Sequence, residues 1–371
     1  MHDAAPGESG SVRAGLRPRG SRLANLSLAF VSLTVSVLAI EIGYRLAVGL
    51  PLFELANWRG DHTVILESGD LPVPDPQLGW VSRPGYVGDG YRTLAHGIRR
   101  NFDETTIRTG EILAVGDSFT EGMEVDDDQS WPAYLEKKIR RPVVNGGVMA
   151  YGTDQIVLRA EQLLPIVKPK ILIVGFLEFD VFRAGHSHFG SPKPYFTVEN
   201  GALRYHAPAL VTVRHEAAFA VRAGYWLRHW LGYLASVDYL MRRAAPDFWL
   251  GSERRQYVRA PNDPLAVTCL LLDRLKQRTD REGVRLILFL QYYAAAMMAG
   301  DEPTPNGQGV AACAKRLGIQ VVDHFAPLRA LVAKDPDAMR PYYMTDGKNF
   351  THMSPKGNEH AAVLLAKVLS E

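Results

Sequence analysis

Cysteine is scarce in this chain: 371 residues hold two, Cys269 and Cys313. That excludes a disulfide-dense scaffold and a four-cysteine zinc site. Each cysteine lies in an apolar stretch that reads as helix, where burial as a small hydrophobe and a single disulfide in an oxidising compartment both remain open. A surplus of either charge is also missing, since 42 Lys and Arg face 40 Asp and Glu for a formal charge of +2. Such balance argues against a nucleic-acid backbone as the main partner. No Walker-type lysine follows a glycine cluster, and no Gly-x-Gly-x-x-Gly opens a helix after a strand, so nucleotide binding has no support. His215-Glu216 runs on into Ala, Ala and Phe without a second histidine, and the zinc-protease motif is absent. His186 and His188 read as residues of a solvated loop, and no cofactor or metal is called for. The Asp126–Asp128 run precedes a helix, where carboxylates favour the positive helix end.

What the chain does hold is 47% hydrophobic and 22% charged residues, enough to bury a sizeable core and to exclude disorder for most of its length. A basic tail, residues 1–22 with Arg13, Arg17, Arg19 and Arg22, leads into an uncharged run from Leu23 to Ile40. Apolar character continues past Glu41 and Arg45, so residues 23–50 read as a single transmembrane anchor. A cleaved signal peptide is the alternative, with Val37-Leu38-Ala39 as a weak cleavage site; a buried core helix is a third option that the arginines disfavour. Basic residues before the anchor put the tail in the cytoplasm and the rest of the chain on the far side, periplasmic or extracellular.

Residues 51–108 read as a linker and N-terminal extension that becomes structured near Asp75 to Tyr91. From residue 109, short apolar runs alternate with amphipathic helices. Strands are expected at Glu111–Gly116, Pro142–Asn145, Lys170–Gly175, Val284–Leu290 and Ile319–Asp323, with helices between them and a last one after Ser354-Pro355. This alternation implies an α/β fold with a parallel sheet covered on both faces. Chemistry in such sheets gathers at the carboxyl ends of the strands. There stand Gly116-Asp117-Ser118 on a sharp turn, Asn145-Gly146-Gly147 after the second strand, and Glu178-Phe179-Asp180 after the third. His352 precedes the closing helix. A serine hydroxyl needs a neighbouring imidazole to take its proton, and backbone amides of Ser118 and a glycine such as Gly147 suit a developing oxyanion.

The strings ILAVGDSFTEGMEV with SWPAYL, NGGVMAYGTDQ and HMSPKGN together resemble the SGNH/GDSL hydrolases over about residues 75–371. The resemblance implies a flavodoxin-like three-layer α/β/α fold and serine esterase or acyltransferase chemistry. It implies Ser118 as nucleophile, His352 as base, and Ser118 with Gly147 as oxyanion donors. Membrane-anchored members carry a Glu and an Arg near the anchor's end, as Glu41 and Arg45 stand here, and a stretch like Asp75-Pro76-Gln77-Leu78-Gly79-Trp80. Two positions depart from the pattern. Phe179 stands where the family has an oxyanion asparagine, and Asn349 where an aspartate precedes the histidine. Asp346 is taken as the third member, with Asn349 or none as the alternatives.

The expected organisation is a hydrolase domain over residues 109–371 with a helical insertion at about 183–262. In that insertion Tyr225, Trp226, Trp230, Tyr233 and Tyr239 alternate with Arg222, Arg228, Arg242 and Arg243. It reads as a cap over the sheet, a membrane-surface helix or an aromatic wall for sugars. The expected activity is extracytoplasmic hydrolysis of O-acyl, acetyl above all, esters of a glycan. The alternatives are O-acetyl transfer to an exported polysaccharide, alongside exopolysaccharide assembly proteins, and a non-catalytic glycan-binding scaffold.

Overall fold

The computed structural model describes residues 20–53, 71–209, 226–245, 248–249, 257–332, 335–347 and 349–370. The tail arginines 13, 17 and 19, residues 54–70, Arg222, Tyr225 and the His215-Glu216 pair lie outside the described residues. The chain forms two compact units, one of Met1–Gly60 with Glu216–Trp249, the other of Asp61–His215 with Leu250–Glu371.

The larger unit opens with an antiparallel hairpin of β1 (Pro72–Asp75) and β2 (Gly79–Ser82). Its turn is closed by Asp75, whose Oδ1 accepts from the amides of Gln77 at 2.9 Å and Leu78 at 2.7 Å. Next come β3 (Ile112–Gly116), β4 (Val143–Asn145) and β5 (Ile171–Leu177), every residue of which is buried. The insertion contributes two small antiparallel pairs, β6 (His186–Phe189) with β9 (Tyr257–Arg259), and β7 (Tyr195–Glu199) with β8 (Ala202–His206). The chain then returns through β10 (Arg285–Gln291) and β11 (Gln320–Asp323), and a last hairpin joins β12 (Tyr343–Thr345) to β13 (Phe350–Met353).

Strands β11-β10-β5-β3-β4 lie in that order in one parallel sheet. Their apolar runs are continuous because both faces are covered. The Trp131–Ile139 and Pro355–Ser370 helices pack together, while the Pro264–Glu282 helix packs against both Thr153–Val167 and Pro305–Arg316. This is the expected three-layer α/β/α arrangement. The order places β3 and β5 side by side at the point where successive connections leave in opposite directions, so a crevice is expected beyond their carboxyl ends.

The insertion is not simply helical. His186 and His188, read as loop residues, lie on β6, and burial holds both imidazoles below their ordinary range, His188 down to about 4. Residues 183–209 and 257–262 belong to the larger unit, so only the middle of the insertion is separate. Lys193 explains part of this attachment: its fully buried ammonium donates to Asp154 Oδ2 on the Thr153–Val167 helix, to Pro194 O at 2.8 Å and to His186 O at 3.1 Å.

In the smaller unit the Gly20–Val48 helix contains a stretch, Ala24–Val48, long and apolar enough to cross a membrane, with 6% of its most apolar window buried. Residues 226–231 are helical, and a second helix runs Ala235–Ala244. The aromatic and arginine stretch of the insertion is thus divided between two helices, and Gly232 marks the end of the first by donating to Arg228 O at 3.0 Å and His229 O at 3.2 Å.

Cys269 and Cys313 are joined as a disulfide across 44 residues, with Cα atoms 5.6 Å apart, tying the Pro264–Glu282 helix to the Pro305–Arg316 helix. Replacing both by serine is expected to lower the unfolding free energy by about 2–4 kcal/mol in denaturant titration. An unchanged midpoint would mean that the bridge is not formed in the protein.

Candidate active site

Ser118 follows β3 on a turn that is set by its neighbours. Asp117 is fully buried and its Oδ1 accepts from the Phe119 amide at 2.9 Å, capping the short Ser118–Glu121 helix. That helix lies very close to the sheet. Gly116 and Gly175 face each other across β3 and β5, and a Cβ on either would come within 2.1 or 2.2 Å of Thr120 Oγ1. Two glycines therefore form the floor on which the serine's helix rests. Gly122, at φ 75°, ends the helix in the left-handed region that favours glycine.

His352 arrives from the opposite end of the sequence, on β13. The HMSPKGN string fixes it there. Asn358 donates to the carbonyls of Met353 and Ser354, both at 3.0 Å, while its Oδ1 accepts from the Trp131 amide at 3.0 Å. Gly357 allows close contact with the Tyr342 carbonyl, which would lie 2.1 Å from an added Cβ. The result is a distance of 2.9 Å between His352 Nε2 and Ser118 Oγ. Ser118 itself is 4% exposed.

The carboxylate beside His352 is Glu124, with Oε1 2.8 Å from Nδ1. Thr351 donates to its other oxygen at 2.5 Å. The hydrogen bond from His352, partly opposed by burial and then aided by Thr351, holds the Glu124 carboxyl below its ordinary range. An ionised Glu124 accepts from Nδ1–H, which leaves Nε2 to accept the serine proton. Asp346, the residue expected in this place, is engaged elsewhere. Its Oδ1 accepts from the Asn349 amide at 2.7 Å and its own amide donates to Asn349 O at 3.1 Å, closing the turn between β12 and β13. Neither Asp346 nor Asn349 is the hydrogen-bond partner of the ring found here. Glu124 was missed because a carboxylate six residues after the serine has no fixed direction in sequence. Arg99 supplies that direction: its buried guanidinium donates to the carbonyls of Glu121 at 3.1 Å, Gly122, and Val125 at 2.7 Å, gripping the loop on which Glu124 stands.

Gly147, expected as an oxyanion donor, has its amide directed to Asn145 Oδ1 at 3.1 Å. A Cβ there would meet Glu121 N at 2.4 Å, so glycine serves close packing of the β4 exit against the serine's helix. The Ser118 amide, at the first position of its helix, has no intrahelical acceptor. Phe179, two residues after β5, packs its ring on Phe182 at 4.8 Å and Tyr293 at 5.8 Å, and Tyr293 in turn meets Phe119 at 5.3 Å. Behind this aromatic group Arg183 is 4% exposed. Its Nη1 donates to Asp117 Oδ2 and Asp180 Oδ1, both at 2.7 Å, and its Nη2 donates to Tyr293 Oη at 3.3 Å. Burial works against its charge, but Asp117 and Asp180 more than offset that and raise its pKa. Glu178, beside them, is pushed up to about 7 by burial, and its Oε2 has no hydrogen-bond partner among the described residues. Among those residues no group of three or more His, Cys, Asp or Glu side chains is placed to hold a metal ion.

No family model and no curated protein matches the sequence. Solved structures similar to the chain include a lipolytic protein of the G-D-S-L family from Desulfitobacterium hafniense, 14% identical over 70% of this chain and 99% of that one, with a TM-score of 0.38. A lipase/acylhydrolase from Enterococcus faecalis is 12% identical over 70% and 95%, with a TM-score of 0.40. An acetylxylan esterase from Geobacillus stearothermophilus is 16% identical over 71% and 96%, with a TM-score of 0.41. The chemistry of this chain is carried by its own side chains.

Two outcomes follow from the geometry. Glu124→Gln is expected to slow turnover of an activated ester such as p-nitrophenyl acetate by about 10²–10⁴-fold, while Asp346→Asn leaves it unchanged; the reverse ranking would restore Asp346 to the site. Because the carboxyl of Glu178 is raised in the folded chain from 4.5 to about 7, its contribution to stability is full at low pH and is lost as pH rises through that window. Glu178→Gln should therefore lose less stability than the parent between pH 5 and pH 8 in denaturant titrations, and equal losses would place the titration elsewhere.

Proposed function

We propose that the chain is a membrane-anchored serine ester hydrolase whose catalytic centre is Ser118, His352 and Glu124, working outside the cytoplasmic membrane on short O-acyl esters, acetyl above all, of a glycan. The observation that carries the reading is the continuous hydrogen-bonded path from Ser118 Oγ to His352 Nε2 at 2.9 Å and from Nδ1 to Glu124 at 2.8 Å. Ser118 Oγ attacks the acyl carbonyl as Nε2 takes its proton, and His352⁺ returns that proton to the departing sugar oxygen. Glu124 keeps the ring oriented and stabilises the imidazolium. The Ser118 amide donates to the oxyanion. Water then deacylates the serine with His352 as base; a sugar hydroxyl in its place gives transfer from the same intermediate.

The rings of Phe119 and His352, with centroids 5.2 Å apart, and of Tyr293 next to Phe119 crowd the serine and favour a short acyl group. The Cys269–Cys313 disulfide favours an oxidising compartment, in keeping with an anchor that leaves residues beyond 50 outside the cytoplasm.

The test is labelling of the detergent-solubilised full chain with a fluorophosphonate, together with acetyl-ester turnover. Both are expected to vanish in Ser118→Ala. Labelling that persists in that variant, or none in the parent, would leave a glycan-binding scaffold as the better reading. Acetylated oligosaccharide as product when acceptor sugars are added would replace hydrolysis by transfer.

A further inference from the structure

The smaller unit carries apolar surface that its own fold does not cover. Along the Gly20–Val48 helix Leu28, Phe30, Val31 and Ile40 are 67, 71, 56 and 64% exposed, on all sides of the cylinder. Only near its end do buried groups appear. Glu41 and Arg45, each 5% exposed, form an ion pair at 2.6 Å. Glu41 also caps the start of the Ala235–Ala244 helix, accepting from the amides of Ala235 at 2.8 Å and Ser236 at 2.9 Å and from Ser236 Oγ at 2.6 Å. Arg45 donates to Pro51 O at 2.9 Å and Tyr233 O at 3.3 Å. Two ionisable groups that would be costly at the edge of hydrocarbon are thereby satisfied.

This network fixes a depth. From Ala24 to Glu41 the helix rises about 25 Å, close to the roughly 30 Å hydrocarbon core of a bilayer, so Glu41 comes at its outer boundary. The Ala235–Ala244 helix starts at the same level, and Tyr239 lies against Tyr44 at 5.3 Å. Its surroundings are apolar and exposed: Trp226 at 64%, Leu227 at 49%, Trp230 at 55%, Leu240 at 60% and Phe248 at 53%. They are not the sign of an unfinished fold, because Trp249 is fully buried and its Nε1 donates to Asp238 Oδ1 at 2.7 Å. Trp and Tyr are enriched at the headgroup level, and the arginines beside them are held within the unit, Arg228 on Phe248 O at 2.5 Å, Arg242 on Asp238 at 2.7 Å and Arg243 over the Tyr239 ring at 3.8 Å.

We propose that residues 226–245 form an interfacial membrane element, with Trp226, Trp230 and Leu240 seated in the headgroup and upper acyl region of the bilayer that the N-terminal helix enters. The occupant of this surface is phospholipid, because the exposed apolar face is continuous with a helix that is apolar all round. The inference rests on that helix being a membrane anchor.

Nitroxide labels on Leu33→Cys, Trp226→Cys and Leu240→Cys variants of the full chain in phosphatidylcholine/phosphatidylglycerol nanodiscs test it through collisions with oxygen and with a water-soluble nickel chelate. The expected result is strong oxygen and weak nickel accessibility at all three, deepest at Leu33. Nickel accessibility at 226 and 240 with Leu33 buried in lipid overturns the interfacial element and leaves the anchor standing. Labels at 226 and 240 that neither reagent reaches mean a protein cover, which also overturns it. Nickel accessibility at Leu33 removes the anchor and this inference together.

Discussion

The exit of β3 depends on one buried carboxylate with two tasks. Asp117 caps the helix that begins with Ser118 through one oxygen and holds Arg183 at 2.7 Å through the other. Arg183 belongs to the exit of β5, where it also holds Asp180 and the Tyr151 carbonyl, the latter at 3.0 Å. The ends of the two central strands are thus joined by ionic hydrogen bonds between buried groups, where a charge left without its partner is costly. The motif residue before the serine is in this sense a structural strut. It sets where the hydroxyl points before any histidine is considered.

Around that strut the site is assembled from close approaches. Glycines 116 and 175 let Thr120 descend onto the sheet, Gly147 lets the β4 exit touch the serine's helix, and Gly357 lets the closing helix start against Tyr342. Each approach brings backbone to where a side chain would otherwise stand. The accumulated effect is that Ser118 and His352, 234 residues apart, come within hydrogen-bonding distance. The residues that follow β5 and precede His352 have local explanations as well. Phe179 belongs to an aromatic cluster, with Phe179 and Tyr293 standing against Arg183. Asp346 and Asn349 close a hairpin turn, and the carboxylate that meets His352 stands on the serine's own loop.

The insertion shows how one stretch of chain can serve two bodies. Its first strands are held in the larger unit by Lys193, a charge buried against Asp154. Its middle joins the N-terminal helix through Glu41 and Arg45. The two ionisable residues that looked like the far end of a membrane span are also the clamp for a helix nearly two hundred residues later.

What the sequence by itself determined was whatever depends on neighbours along the chain. The five sheet strands were readable because burial on both faces demands unbroken apolar runs, and Ser118 and His352 because strand-end turns and helix starts are written in adjacent residues. The carboxylate beside His352 was decided only by the tertiary structure. Glu124 and Asp346 are equally plain acidic residues in sequence, and the choice between them falls to Arg99, which draws in the carbonyls of the Glu124 loop, and to the Asn349 amide, which engages Asp346. The same holds for Gly147, whose amide direction follows from the side chain of Asn145. Long-range hydrogen bonds choose among local possibilities, and a single chain of letters does not contain their directions.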